Sequence, residues 1–338
     1  MPFAEWIDQI IVGQSLSESV AGEAISSVMR GEMATAQVAS LLTALRCKGE
    51  TLDEIAGAAR AMRDHALPIP TNQTGLIDTC GTGGDRSGTF NISTLTALIV
   101  AGTGAPVAKH GNRSATSKCG SIDLLECLGV NINLGPDGIA RCINQCGIGV
   151  LFARMVHPAM KHAAPVRAEL GFRTIFNFLG PLTNPAKPTY QLVGISDATY
   201  MELYAKCLHK MGIQRAWVAH GTNGLDELSL TGPSKIVEMN GGDISSFQIT
   251  PQDAGLEPCA IEDLLGGDAE QNAVLAMAIL KNEDSGAKRD AALLNAGAVL
   301  TIAGKASEIK AGVALARESL QSGAAYKKLQ ALIEVSNG

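Results

Sequence analysis

One stretch decides the fold class: Leu76-Ile77-Asp78-Thr79-Cys80, then Gly81-Thr82-Gly83-Gly84-Asp85, then Asn91-Ile92-Ser93-Thr94. The first five residues predict a strand, and the apolar run after Asn91 predicts a helix to about residue 102. Between them, glycines let backbone N–H groups converge on an anion, and the helix N-terminus adds a favourable dipole. The alternative is an ordinary tight turn; the preceding strand and the following Asn-Ile-Ser-Thr favour a phosphate site. No Gly-Lys-Ser/Thr follows, so this is not a Walker A loop.

Strand-like and helix-like runs alternate after this stretch. Strands are predicted at Pro106–Lys109, Val150–Ala153, Tyr190–Ile195, Ala216–Ala219 and Ile236–Met239, and helices near 120–128, 137–146 and 198–211. Such alternation is typical of a mainly parallel sheet covered by helices. Residues from about 270 to 335 are rich in Ala and Leu and predict further helices.

The N-terminal part of the chain predicts helices only. Apolar residues recur every four positions from Leu16 to Val28, Thr51-Leu52-Asp53-Glu54 has the form of a capping box, and Pro68 and Pro70 end the pattern. The length of 338 residues suits two units of roughly 100–200 residues. The predicted fold class is α/β: a small all-helical domain (1–70, completed by about 159–188) and a larger domain (71–158 and 189–338) with a mainly parallel central sheet flanked by helices.

Composition narrows the functional class. A hydrophobic content of 46% with 18% charged residues fits a globular protein with an aliphatic core. The net charge of −6 argues against a nucleic-acid surface but allows a local basic pocket. The eight cysteines form no C-x-x-C pair and are expected to be buried hydrophobes in a reducing compartment; Cys142 and Cys146 lack further metal ligands nearby. With no secretory-type start and no apolar stretch of membrane-spanning length, a cytoplasmic location is expected.

Two more polar loops follow predicted strands, so we expect them at the same edge of the sheet. Lys109-His110-Gly111-Asn112-Arg113-Ser114, with Thr116 and Ser117, brings cations and hydroxyls that suit phosphate; the alternative is a solvated basic turn. The loop 220–227 ends in Asp226 and Glu227, which suit Mg²⁺ shared with substrate phosphates; the alternative is turn acids in water. Three such loops at one edge favour the functional interpretation.

Arg167 lies outside the predicted sheet, in Pro165–Gly171. It could clamp a carboxylate bidentately or pair with Glu169 at the surface. From the residues alone, the surface ion pair is the more common case. His157, His162 and His65 are expected to be structural.

These motifs resemble those of the anthranilate phosphoribosyltransferases. The resemblance runs in order along nearly the whole chain and is carried by the three loops, Cys119–Glu126, Val166–Gly171, Arg173–Asn177 and Leu179–Pro185; Thr116 stands where many relatives carry Ser. It implies transfer of the 5-phosphoribosyl group from 5-phosphoribosyl 1-diphosphate (PRPP) to the amine of anthranilate, which releases pyrophosphate, in tryptophan biosynthesis. It also implies the fold of the pyrimidine nucleoside phosphorylases, a cytoplasmic homodimer and Mg²⁺ as cofactor.

The resemblance further implies a role for individual residues. PRPP would be held by Gly81, Gly84, Asp85, Thr89, Asn91, Ile92, Ser93, Thr94, Lys109, His110, Gly111, Asn112, Arg113, Ser114, Ala115, Thr116, Ser117 and Ser121. Ser93, Asp226 and Glu227 would serve Mg²⁺, and Gly81, Asn112 and Arg167 would contact anthranilate, which favours the carboxylate clamp. Because an aromatic amine is unprotonated at neutral pH, our hypothesis is that no side chain, His110 included, is an obligatory base.

Two alternative functions stay open at this stage. A nucleoside phosphorylase of the same fold would cleave a ribose–base bond with phosphate and would leave Asp226 and Glu227 without a role. A non-catalytic nucleic-acid-binding relative would keep the fold, but the acidic balance and the intact loops argue against it. The expected partners are the small molecules PRPP and anthranilate, with no nucleic acid and no membrane. Association with a glutamine amidotransferase or anthranilate synthase subunit is not readable from the residues.

Overall fold

The computed structural model describes residues 3–114 and 118–338. Its α-helices are α1 (Phe3–Ile11), α2 (Glu18–Met29), α3 (Thr35–Lys48), α4 (Leu52–Asp64), α5 (Ile92–Gly102), α6 (Ser121–Cys127), α7 (Pro136–Cys146), α8 (Ala153–Val156), α9 (Ala164–Leu170), α10 (Phe176–Leu179), α11 (Met201–Lys210), α12 (Ala269–Leu280), α13 (Ala287–Ile302), α14 (Ile309–Gln321) and α15 (Ala324–Asn337). The strands are β1 (Ile77–Asp78), β2 (Val107–Gly111), β3 (Ile148–Phe152), β4 (Tyr190–Gly194), β5 (Arg215–His220), β6 (Ser234–Asn240) and β7 (Asp243–Ile249). Short 3₁₀ turns lie at Pro158–His162, Gly180–Leu182, Ala198–Tyr200, Thr222–Gly224, Gln252–Ala254 and Ile261–Leu264.

In the described residues the strands form one sheet in the order β3-β2-β1-β4-β5-β6-β7. Pairing is parallel from β3 across to β5, and β6 and β7 add antiparallel strands at one edge. The predicted α/β fold with a mainly parallel sheet flanked by helices is therefore confirmed. The chain runs from β1 through β2 to β3 on one side, then returns to β4 on the other side of β1. Ligands bind at such a switch point, beyond the carboxyl ends of the strands.

The helix that follows the glycine-rich stretch is buried on all sides. Along α5, every residue from Leu95 to Ala101 is at most 1% exposed. Helices α13, α14 and α15 pack against it. A helix that is apolar all round belongs in a core, which explains why α5 shows no polar face in the sequence. Its N-terminus is thus held rigidly beneath the loop that precedes it.

The N-terminal helices pack closely on each other and on later residues. A Cβ at Gly57 of α4 would overlap the carbonyl oxygen of Glu18 in α2, so the two helices approach at backbone contact. The carboxylate of Glu54, 0% exposed, accepts hydrogen bonds from the backbone N–H of Thr51 at 2.9 Å, as the capping box predicts, and from Lys48 Nζ at 2.8 Å. One buried cluster joins these helices to Val166, Ile175, Phe176 and Leu179 and continues to Val193 of β4 and Val218 of β5. Residues of α9 and α10 therefore share one core with the N-terminal helices and with β4 and β5.

Candidate functional site

A cleft of about 1090 Å³ lies at the carboxyl ends of β1 and β2, between the sheet and the segment from α8 to α10. Of the residues predicted to bind substrate or metal, its wall contains Gly81, Gly84, Asp85, Thr89, Asn91, Ile92, Ser93, Lys109, His110, Gly111, Asn112, Arg113, Ser114, Ser121, Arg167, Asp226 and Glu227. The structure thus brings the three predicted loops together with Arg167. Ala115, Thr116 and Ser117 lie outside the described residues.

The glycine-rich loop is held in a conformation that needs its glycines. Gly83 and Gly84 have φ angles of 70° and 84°, in the left-handed region that favours glycine. The backbone N–H of Thr82 donates to the carbonyl oxygen of Gly194 at 2.9 Å, which ties the loop to the end of β4. A Cβ at Gly81 would lie 3.2 Å from Asp226 Oδ2, so this position brings the backbone against the third loop. The loop is therefore shaped by its glycines and held against the end of β4 and the third loop.

Lys109 belongs to a strand, where the sequence placed the end of a strand and the start of a loop. It pairs with Val150 across β2 and β3 and is only 2% exposed. Its Nζ lies 3.3 Å from the carbonyl oxygen of Thr79 and 3.4 Å from Ser93 Oγ, at the N-terminus of α5. The buried ammonium is therefore aimed at the floor of the cleft, and the alternative of a solvated basic turn does not apply to it.

The rest of the second loop is held by α6. Arg113 donates to Asp123 at 2.7 Å and to Glu126 at 2.8 Å, so its charge is balanced within the protein. The hydroxyl of Ser121 donates to the carbonyl oxygen of Asn112 at 3.3 Å. The side chain of Asn112 is exposed and lines the cleft. Asn112 and Ser121 can therefore form further hydrogen bonds with a ligand in the cleft. Arg113, in contrast, is held by Asp123 and Glu126 and joins the second loop to α6.

Only some residues in the first turn of α5 reach the cleft with their side chains. Asn91 and Ser93 line the cleft, and Ile92 buries its side chain in the core and offers only its backbone there. The structure does not bring Thr94 to the cleft wall: its side chain is fully buried and its hydroxyl donates to Asn91 Oδ1. Thr94 therefore orients Asn91, whose Nδ2 donates to the carbonyl oxygen of Cys119 at 3.3 Å. The sequence predicted a direct contact because a hydroxyl in the first turn can face either way.

Three carboxylates crowd one end of the cleft. Burial and the neighbouring Asp85 raise the pKa of Asp226, and burial and the neighbouring Asp226 raise that of Glu227, although Lys109 acts against the second shift. The backbone N–H groups of Gly83 and Ser93 act against the rise in the pKa of Asp226 and Glu227, respectively. Among the described residues, no three or more His, Cys, Asp or Glu side chains form a complete metal cage. Ionisation of Asp226 and Glu227 is thus disfavoured in the protein alone, and a bound cation would favour it.

Arg167 has no acidic partner among the residues that the structure describes. Its guanidinium lies over the ring of Phe176, with the central carbon 5.3 Å from the ring centre. Burial lowers the pKa of Arg167, as expected for a cation without a counter-charge. The surface pair with Glu169, which the residues alone favoured, does not form. A partly buried, unpaired cation in a cleft wall is suited to an anionic ligand.

Sequence reasoning assigned no site role to three residues that lie beside the cleft. Arg173 donates from Nη2 to the carbonyl oxygen of Gly83 at 2.9 Å. Asp78, fully buried in β1, accepts the backbone N–H of His110 at 3.1 Å; a lone acid inside an apolar strand was its signal. His157, expected to be structural, lines the cleft and contacts His110. No spacing pattern points to Arg173 or His157.

Comparisons with known proteins agree with this geometry. The model of the glycosyl transferase family α/β domain matches residues 73–326, and that of the family's helical bundle domain matches residues 4–66. The chain is 51% identical to the anthranilate phosphoribosyltransferase of Roseiflexus sp. (strain RS-1), with 100% of this chain and 99% of that protein covered. The chain belongs to the anthranilate phosphoribosyltransferase family. It is therefore an enzyme of the glycosyltransferase class.

Two solved structures of anthranilate phosphoribosyltransferases superpose on nearly the whole chain. That of Thermus thermophilus has a TM-score of 0.94 at 45% identity and covers 98% of this chain and 99% of its own. That of Saccharomyces cerevisiae, in complex with PRPP and Mg, has a TM-score of 0.93 at 25% identity and covers 99% of this chain and 98% of its own. In the described part of the chain, none of the helices has the length and apolar character needed to cross a membrane.

Proposed function

We propose that this chain transfers the 5-phosphoribosyl group of PRPP to the amine of anthranilate, in tryptophan biosynthesis, with Mg²⁺ as cofactor. One observation carries the proposal. A single cleft has a glycine-rich anion cradle and a carboxylate cluster on one wall and the unpaired guanidinium of Arg167 on another. The first wall suits a diphosphate with its metal, and the second suits the carboxylate of an aromatic acid.

The proposed binding of the PRPP diphosphate is supported by the first two loops. The backbone of Gly81–Asp85, the N-terminus of α5 and the buried ammonium of Lys109 converge on the cleft. Each is a donor or a positive pole, and together they can balance the charge that develops on departing pyrophosphate. Asn112 and Ser121 add neutral hydrogen-bonding groups beside them. We infer that these residues hold PRPP, with Thr94 supporting Asn91 from behind.

The residues present fit Mg²⁺. Asp226 and Glu227 lie beside Asp85, and burial together with the neighbouring carboxylates raises the pKa of both groups, so a bound cation would favour their ionised forms. Mg²⁺ binds through one or two carboxylates together with substrate phosphates and water, so an incomplete protein cage is expected for it. Ser93, Asp226 and Glu227 are the proposed ligands. Bound there, Mg²⁺ would neutralise charge on the diphosphate.

The proposed binding of anthranilate, the acceptor substrate, is supported by Arg167. A planar guanidinium over the ring of Phe176 can take a carboxylate in a bidentate arrangement and hold an aromatic ring near its own stack. Exposed Asn112 and the backbone of Gly81 complete the proposed acceptor contacts. Holding the neutral amine close to the ribose carbon supplies positional catalysis, which needs no strong base.

The same observations argue against the alternative functions. A nucleoside phosphorylase binds a neutral base and needs no Mg²⁺. In such an enzyme the unpaired Arg167 and the three clustered carboxylates would lower the stability of the fold without contributing to binding. A nucleic-acid-binding relative would need a broad basic face, and the chain carries a net charge of −6.

We further propose that residues 1–70 and about 159–188 form one small domain beside a large domain of 71–158 and 189–338. The shared cluster of α1–α4 with α9 and α10 supports this division, although the cluster also reaches β4 and β5. The homodimer, the cytoplasmic location and the absence of nucleic-acid partners stay predictions; sedimentation velocity of the purified chain tests the first.

One assay tests the activity. Loss of anthranilate fluorescence is followed after addition of PRPP, with and without Mg²⁺, and with phosphate plus a nucleoside as the competing reaction. We expect consumption of anthranilate that requires both PRPP and Mg²⁺. Replacing Asp226 and Glu227 together by Asn and Gln should shift the Mg²⁺ titration to higher concentration. An unchanged titration would remove these residues from the metal site, and phosphorolysis without anthranilate turnover would refute the activity.

A further inference from the structure

A second cavity, of about 500 Å³, lies apart from the cleft. Among the described residues, none lines both. Its walls come from the end of α4, the segment before β4 and the end of α11. Lys187 precedes β4 and Met211 precedes β5, so this cavity lies towards the amino ends of these strands, whereas the cleft lies at carboxyl ends. Its volume is within the range of small-molecule sites, roughly 300–1,000 Å³.

The second cavity is rich in positive charge. Arg60 pairs with Glu18 at 2.7 Å, and Lys210 pairs with Glu18 at 2.6 Å and with Asp53 at 2.9 Å, so these two cations are balanced within the protein. The other two basic residues in the lining make no ion pair within the described chain. They are Arg63 and Lys187.

Arg63 is a partly exposed cation whose partners in the protein are neutral. Its Nη1 donates to the carbonyl oxygen of Met211 at 2.9 Å, and its Nη2 donates to that of Leu182 at 2.8 Å. Burial lowers the pKa of Arg63 to about 10, so it stays charged at neutral pH. A guanidinium has five N–H donors, and these two bonds use two of them. Arg63 therefore retains both charge and donors for an anion.

Lys187 is held in a conformation that a lysine seldom adopts. Its φ angle is 51°, in the left-handed region that glycine adopts without strain and other residues adopt at a cost. In the described part of the chain, the residues at positive φ that are neither Gly nor Asn are Arg86 and Lys187. Arg86 lines the cleft, and Lys187 lines the second cavity. Strained residues of this kind cluster at ligand clamps, which favours a ligand at Lys187.

The rest of the lining limits the kind of anion. Together with the four cations, the acids Asp64, Glu18 and Asp53 leave a net charge of +1, which suits a ligand with one anionic group. The remaining wall is apolar and suits an apolar body on the same ligand. It consists of Ala66, Pro68, Pro185 and Met211.

We propose that the second cavity binds a small organic anion, with a phosphate or carboxylate group held by Arg63 and Lys187 and an apolar body against Pro185 and Met211. The inference does not depend on the proposed activity. Gly180 lines the cleft, and Pro185 and Lys187 of the same segment line the second cavity. A ligand here thus contacts the segment that leads to the cleft.

Calorimetric titration of the full chain tests the proposal with three probes at constant ionic strength: inorganic phosphate, butyl phosphate and butyrate. The cleft also attracts phosphate, but Lys187 lies outside it, so binding that Lys187→Gly removes belongs to the second cavity. We expect Lys187→Gly to weaken binding of the preferred probe about tenfold, because a hydrogen bond to a charged group is lost. Butyl phosphate should bind about fivefold more tightly than inorganic phosphate, because its chain is removed from water.

The two organic probes identify the anionic group, since the tighter binder of butyl phosphate and butyrate carries the preferred one. Equal binding of inorganic phosphate and butyl phosphate, with no binding of butyrate, would overturn the organic ligand. Lys187→Arg keeps the charge and should keep wild-type affinity within about threefold. Lys305→Ala is the matched control, because Lys305 is exposed and lines neither cavity. Unchanged affinity in Lys187→Gly, or the same loss in Lys305→Ala, would overturn the site.

Urea unfolding without added anion separates ligand binding from a structural role of Lys187. Lys187→Gly removes the left-handed strain, so its urea midpoint should lie above that of the wild type. A variant that is more stable and yet binds the anion less tightly is expected only if Lys187 is kept for a ligand. A lower midpoint together with weaker binding would show that Lys187 supports the fold, and would overturn the proposal.

Discussion

Arg173 donates a hydrogen bond of 2.9 Å from Nη2 to the carbonyl oxygen of Gly83. Its Nη1 donates to Ser196 Oγ at 3.2 Å, and a Cβ added at Gly84 would lie 3.0 Å from Nη2. One side chain from the segment between α9 and α10 thus joins the glycine-rich loop to the loop after β4. The helical wall and the phosphate wall of the cleft are coupled at this point.

Arg173→Ala should therefore loosen the glycine-rich loop. Loss of the bond to Gly83, worth about 1 kcal/mol, should raise the KM for PRPP about fivefold. The KM for anthranilate should change less, because Arg167, not Arg173, is the residue proposed to bind that substrate. Arg141→Ala is the matched control, since this exposed arginine also donates to a backbone carbonyl, that of Val335, away from the cleft. Initial-rate kinetics with each substrate varied measure the effect, and equal changes in both KM values would contradict it.

Arg167→Ala should affect the other substrate. A charge-assisted hydrogen bond is worth about 1.5–3 kcal/mol, so the KM for anthranilate should rise roughly 10- to 100-fold. Arg167→Lys keeps the charge but not the planar fork, and its KM should lie between those of the wild type and Arg167→Ala. The KM for PRPP should stay close to that of the wild type. A parallel rise in both KM values would remove the carboxylate role.

Gly194→Ala should displace the third loop. A Cβ at Gly194 would overlap the carbonyl oxygen of Asp226, so the backbone of one loop has to move. Such forced shifts cost about 1–3 kcal/mol in stability and should also remove Asp226 from its position beside Asp85. Gly135→Ala is the control, because nothing lies within 4 Å of a Cβ there. Urea denaturation and the Mg²⁺ titration of turnover should both change for the first variant only; an unaltered Gly194→Ala enzyme would show that the loops have more room than described.

The buried Asp78 should make stability depend on pH in the direction opposite to ordinary salt-bridged acids. Burial raises its pKa to about 6, although Lys109, Asn184 and the backbone N–H of His110 act against the shift. The unfolded chain ionises this group near pH 4, so between about pH 4 and 6 the native state binds more protons. Stability from this group then falls as pH rises through that window, by about 3 kcal/mol.

The comparison with Asp78→Asn measures that contribution. The variant does not titrate at this position, so it should gain stability relative to the wild type between pH 4 and 7. Urea unfolding at a series of pH values gives the difference directly. A difference that stays constant with pH would mean that Asp78 titrates alike in both states.

The parts of the fold that local patterns determine were predictable. Strand–helix alternation requires only that short apolar runs be separated by polar turns, and the glycine-rich loop is evident from its composition. Strand β7 was missed because all but Ile249 of its seven residues are at least partly exposed, as expected at a sheet edge. The predicted strand Pro106–Lys109 ended too early, because β2 continues to Gly111 through its pairing with β3, which no local pattern reveals.

The parts of the site that depend on packing were not predictable. Whether Arg167 pairs with Glu169 or faces a cleft is decided by where α9 lies on the sheet, and the same holds for the contact of Arg173 with Gly83. The His110–His157 contact joins a strand end to a turn 47 residues later. The family resemblance implied a role for Arg167 and His110 only, and the contacts of Arg173 and His157 are visible only in the packed structure.

The central position of β1 has a consequence for biosynthesis of the chain. Ile77 pairs with Tyr190, and Thr82 is held by the carbonyl oxygen of Gly194, so the strand and its loop lack one neighbour until β4 has been made. The carboxylates at Asp226 and Glu227 emerge later still. A nascent chain that stops short of Arg173 contains the glycine-rich loop but neither Arg173 nor Gly194, which hold it in the finished structure. We therefore expect that incomplete chains on the ribosome do not bind PRPP, and that only completed chains do.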